Sequence, residues 1–97
     1  MKLYKFDILK ELKTQKDIDL FVAASIEEAK NDSDPSILAD CLAVAARAQD
    51  NISKVTAAAG VNRSGFYRSF RRGGDPRLST FAKVANALGY RVTVAPI

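Results

Sequence analysis

Between Ile52 and Arg72 the chain reads as two short helices bent around a glycine, and this stretch restricts the fold more than any other. The first, Ser53–Ala59, ends in Ala57-Ala58-Ala59, small enough to let a second helix cross it closely. Gly60 stops it, because a residue without a side chain tolerates the positive φ of a tight turn. Asn62 suits the N-cap of the second helix, expected over about Arg63–Arg71. Val55, Val61 and Phe66 can fix the crossing angle from inside. At about 100° per residue, Arg63, Tyr67, Arg71, Ser64, Arg68 and Arg72 fall across one half of the helical wheel. Phe66 and Phe70 fall on the other half, with Ser69 beside them. The aromatics therefore anchor the helix, and a polar stripe faces outward. Gly65 borders the stripe, costs helix stability, and leaves room for a duplex to approach the backbone.

A helix held this way is how proteins read the major groove of DNA. Arg63 sits at the N-terminal end, the end that enters the groove, and its planar fork matches guanine O6 and N7. Asn62 and Ser64 are placed for base edges or phosphates, although capping competes for Asn62. Tyr67 and Arg68 are in reach of a base or the backbone. Arg71, Arg72 and Lys54 are the phosphate contacts, which supply affinity rather than sequence information. Each of these residues alone could be a solvated surface group. Six aligned polar positions opposite two phenylalanines are harder to explain that way.

The charge distribution points in the same direction. Up to residue 50 there are seven basic and ten acidic residues; beyond it there are eight basic residues and Asp75 alone in opposition. A half so poor in acid attracts a polyanion. The acidic half suits a basic partner, and a helix over residues 17–30 with Asp17, Asp19, Glu27 and Glu28 is the candidate surface. The alternative is a helix packed on the domain with a solvated acidic face.

Elsewhere the pattern is helical. Residues 1–6 read as a loose arm or short extended piece, and Asp7–Leu12 as one or two amphipathic turns. Lys16–Lys30 carries Ile18, Phe21, Val22, Ser25 and Ala29 at helical spacing. Asn-Asp-Ser-Asp-Pro at 31–35 breaks the chain, with Asp34 as an N-cap and Pro35 at the first helical position. The next helix runs from about Pro35 to Gln49, its alanines permitting close packing. Leu78–Leu88 turns Phe81, Val84, Ala85 and Leu88 inward and ends at Gly89. Arg91-Val92-Thr93-Val94 alternates and is β-branched, which predicts a short strand. One strand alone is marginal, so it needs a second copy or the N-terminal arm as partner.

Ninety-seven residues, nearly half of them apolar, suffice for one compact domain without staples. The single cysteine, Cys41, lies on an apolar helix face and reads as a core residue rather than a nucleophile. With no histidine, a zinc site would need carboxylates plus one thiol. There is no glycine-rich phosphate loop and no catalytic constellation, so neither an enzyme nor a cofactor is expected. No long apolar run or signal peptide is visible, which makes the cytoplasm the default location and a membrane partner unexpected.

From Ser36 onward the chain resembles a Cro/CI-type helix-turn-helix domain, and as a whole it is similar to the HigA-like antidote proteins of type II toxin–antitoxin modules. The matching pieces are Phe6-Asp7 ahead of a leucine-bearing helix, the Asp-Pro start at 34–35, and Ala45-Ala46-Arg47-Ala48. They continue with the block from Ala59 to Arg68, then Gly74-Asp75-Pro76, then the run from Thr80 to Val94. The resemblance implies an all-α bundle of five to six helices with a short C-terminal strand. Residues 1–33 would form an N-terminal helical extension and residues 34–97 the helix-turn-helix domain. It implies a repressor of its own operon that binds double-stranded operator DNA and neutralises a basic RelE/ParE-like toxin. Many toxins of that superfamily cleave messenger RNA on ribosomes. A homodimer is expected, with strand 91–94 and the last helix as its candidate elements. Such antitoxins often carry Ser and Glu where this chain has Asn62 and Ser64, and a small polar residue in place of Gly65. The operator sequence therefore does not carry over. A stand-alone phage-type or chromosomal regulator is the nearest alternative, and an adaptor that binds only protein is a more distant one.

Overall fold

Six helices make up the regular structure of the chain in the computed structural model, which describes the backbone of residues 4–97 and side chains from Ile8 onward. They are α1 (Tyr4–Glu11), α2 (Gln15–Asp32), α3 (Ser36–Ala48), α4 (Ile52–Ala59), α5 (Arg63–Ser69) and α6 (Leu78–Ala87). Residues 4–6, expected in a loose arm, are already helical; residues 1–3 of that arm lie outside the described residues.

Local chemistry sets the helix ends. Thr14 and Asp17 form a reciprocal capping box at the start of α2: the Asp17 N–H donates to Thr14 Oγ1 at 3.1 Å, and Asp17 Oδ2 accepts from the Thr14 N–H at 3.1 Å. These backbone donors, Thr14 first and Lys13 second, hold the Asp17 carboxyl below the usual aspartate range. The helix outlasts its expected end by two residues and closes on Ser33 in the left-handed region (φ 51°). Helix α3 starts one residue after Pro35, yet the Asp34 carboxylate does accept the Ser36 N–H at 3.1 Å, and Pro35 already has helical dihedrals. The capping expected of Asp34 is therefore present, with the boundary shifted by one residue.

Helix α3 is the central element. It is buried on nearly every side, from Ser36 and Ile37 through Ala46, and it touches α1, α2, α4 and α6. Alanines 39, 43, 45 and 46 let those neighbours approach, as a helix that is apolar all round requires. One apolar core includes Leu12, Ile18 and Val22 from the N-terminal part together with Val55, Phe66, Phe70, Val84 and Leu88. A polar clasp adds to it. Tyr90 donates its hydroxyl to Asp19 Oδ1 at 2.5 Å, and Gln15 bonds the same carboxylate at 2.9 Å. The Gln49 side chain donates to Gln15 and to the Leu88 carbonyl. Burial and the Asp19 bond push the Tyr90 phenol up, and the Tyr90 and Gln15 donors pull Asp19 down.

The expected strand at 91–94 is absent: among the described residues there is no strand, and residues 90–97 carry no regular structure. A β-branched run cannot form a ladder without an edge to pair with, and the described residues supply none. Val92 is 38% exposed and Val94 is 99% exposed.

Candidate nucleic-acid interface

The pair α4–α5 presents a polar helix from an aromatic base. At the turn, Gly60 adopts φ 71° and the Val61 N–H returns to the Thr56 carbonyl, closing α4. Asn62 begins α5 in extended conformation, its side-chain Oδ1 accepting the Gly65 N–H at 2.7 Å. Its competing use as a cap is therefore real, and the amide nitrogen is not part of that bond. A Cβ at Gly65 would come within 3.1 Å of this same Oδ1, so the glycine also leaves space for the cap.

Phe66 and Phe70 hold the helix from below. Both are buried, their rings stacked with centroids 4.8 Å apart, and Phe70 stacks in turn on Phe81 of α6 at 6.2 Å. Above them Asn62, Arg63, Ser64, Tyr67 and Arg68 are exposed, as is Lys54 on α4. Arg63 Nη2 donates to Ser53 Oγ at 3.2 Å, which ties the first residue of α5 to the start of α4. Ser53 is a member of this surface that sequence reasoning passed over. Its only sequence signal was a position next to Lys54, and the ten-residue separation from Arg63 concealed the contact.

The cationic stripe is shorter than expected. Helix α5 ends at Ser69 instead of Arg71, because Phe70 leaves helical geometry (ψ 69°) as its ring enters the core. Arg71 stays exposed beyond the helix, its Nε donating to the Arg68 carbonyl at 2.9 Å. Arg72 turns inward. Its Nη2 lies 2.9 Å from Glu28 Oε2 of α2, and its Nε lies 3.8 Å from Asp40 Oδ2 of α3, whose side chain is 6% exposed. Arg72, expected at a phosphate, is here engaged in a clamp joining three segments. The periodicity of the wheel extends only as far as the helix, which ends at Ser69.

The clamp has a measurable consequence. Arg72→Ala leaves a nearly buried carboxylate short of a cation and should lower stability by about 2 kcal/mol, less than a fully buried pair would because Arg72 is partly solvated. Arg68→Ala should stay within about 0.5 kcal/mol of the parent protein. Urea unfolding of the two variants distinguishes a structural arginine from a surface one; equal midpoints would remove the clamp.

Four acids of α2 have partners, while Asp32 at its end is exposed. Asp17 caps, Asp19 meets Tyr90, Glu28 meets Arg72, and Glu27 forms only an exposed pair with Lys30 at 3.7 Å. Elsewhere, burial pushes the Cys41 thiol up to about 12, far from thiolate chemistry. No group of three or more His, Cys, Asp or Glu among the described residues is placed to hold a metal ion, and no described helix is long and apolar enough to cross a membrane.

Comparison with known proteins adds two findings. A family model described as probable addiction module antidote protein matches residues 2–96. A curated Haemophilus influenzae protein, itself described as uncharacterized, is 30% identical over 93 residues, covering 96% of this chain and 91% of its own length. No solved structure matches the chain significantly.

Proposed function

The chain belongs to the family of probable addiction module antidote proteins, and we propose that it is the antitoxin of a type II toxin–antitoxin module, a homodimeric repressor of its own operon that also holds a basic RelE/ParE-like toxin inactive. In this reading α4 and α5 are a Cro/CI-type helix-turn-helix and α5 enters the major groove. The observation that carries the DNA half is the position of α5. It is fixed from beneath by two buried phenylalanines and leaves Arg63, Ser64, Tyr67 and Arg68 exposed together on its outer side. Arg63 is the base-reading residue, steadied by Ser53. Lys54, Arg68 and Arg71 are the phosphate contacts, and Asn62 sets where α5 begins. Residues 34–97 form the DNA-binding unit, with residues 1–33 as its extension.

Support for the toxin half comes from the family and from the acidic bias of residues 1–50. An enzyme that acts on RNA is basic because its substrate is a polyanion. Of the pair Glu27 and Glu28, Glu27 is the better suited to meet it, since it stands exposed while Glu28 is paired across to Arg72. Both ligands would place the protein in the cytoplasm.

The test is a mobility shift on DNA from upstream of the reading frame, together with co-expression of the neighbouring frame. A small basic protein should co-purify. Arg63→Ala should weaken operator binding by about 1–3 kcal/mol and relax preference at one base pair. Equal loss on every sequence would make Arg63 a backbone contact instead. If the wild-type protein binds upstream DNA no better than random duplex, the repressor reading fails.

A further inference from the structure

Three clefts open side by side around Leu38, with volumes of about 440, 310 and 340 Å³. Leu38 lines all three, Phe81 and Val92 line two, and Ile26 lines two. Helices α2, α3 and α6 and the C-terminal segment thus build one continuous apolar face. Leu78 and Ile26, which line these clefts, are 73% and 44% exposed. Single exposed aliphatic residues are ordinary on a protein surface. Here recesses and projecting aliphatic side chains occur on the same face, each recess large enough to admit such a side chain.

We infer that this face is where a second copy of the chain docks. The inference rests on the homodimeric repressor reading above and gives that dimer its surface. A two-fold contact pairs one patch with itself, so it needs projections and recesses together, and this face has both. Charge favours the same occupant. The charged residues lining the clefts are Lys30 and Arg91 against Asp34 and Asp75, two of each sign. A second copy can meet opposite charges there, whereas a strongly basic partner finds no acidic field. Position agrees as well. The loop Gly74-Asp75-Pro76 on this face follows α5, and Phe81 stacks on the Phe70 ring that ends α5. A two-fold axis here lies beside the reading helix.

Sedimentation equilibrium of the full chain without DNA tests the inference. The wild-type protein should be a dimer. Ile26→Asp and Leu78→Asp should each raise the dimer dissociation constant on the order of a hundredfold, because each strands a carboxylate in an apolar contact. Both positions are exposed in the single chain, so circular dichroism and melting should not change. A wild-type monomer, or variants that associate as tightly as the wild type, would overturn it. Variants that stay dimeric but release a co-expressed basic toxin would overturn it too and give the face to the toxin. A dimer that shifts no DNA supports this interface while sinking the operator reading; a monomer that shifts the operator sinks the interface alone.

Discussion

Phe66→Ala should destabilise the protein by about 3–5 kcal/mol, the usual cost of truncating a core aromatic. Phe66 is fully buried, stacks on Phe70 and meets Tyr67 edge-on with centroids 5.3 Å apart. Removing the ring empties the space beneath α5, a helix with few other attachments: its main packing partner is α4, and its start is set by the Asn62 cap. A domain of this size has about 5–15 kcal/mol in total, so the loss takes much of its stability. Thermal unfolding should fall by on the order of 15–30 °C or lose its cooperativity. A variant that melts like the wild type would mean that Phe66 does not anchor α5.

Operator affinity should drop roughly a thousandfold between 50 and 200 mM salt. The figure follows from the phosphate contacts the structure leaves available. Lys54, Arg68 and Arg71 are exposed, which makes about six contacts in a dimer and a slope near −5 in log affinity against log salt, at about 0.9 per phosphate. Counting Arg72 would make the slope about −7, and its engagement with Glu28 and Asp40 is the reason to omit it. A measured slope near −7 would therefore show Arg72 leaving its clamp on DNA. A flat titration would argue against any duplex ligand.

The parts of this molecule that were legible in advance are those decided within a turn or two of chain. Gly60 turns because its own backbone allows it, and Asn62 caps a donor three residues away. Phe66 and Phe70 go inward because they share a helix face, and Val84, Ala85 and Leu88 do so for the same reason. Periodicity and capping are local properties, and the residues involved announce them. Arg72, Asp19 and Glu28 belong to another class. Each looked like a free surface charge, and each meets a partner 44 or 71 residues away in the chain.

Composition and spacing alone determined the run of helices ahead of Gly89, the glycine turn between α4 and α5, and the aromatic base beneath a polar helix, since each follows from backbone freedom or the 3.6-residue repeat. Tertiary structure decided where α5 ends, which arginine turns inward, and that Arg91–Val94 lies without a ladder. Those outcomes depend on what distant segments bring alongside: a core that draws Phe70 out of the helix, two carboxylates waiting for Arg72, and, among the described residues, no sheet edge for the last ones to join.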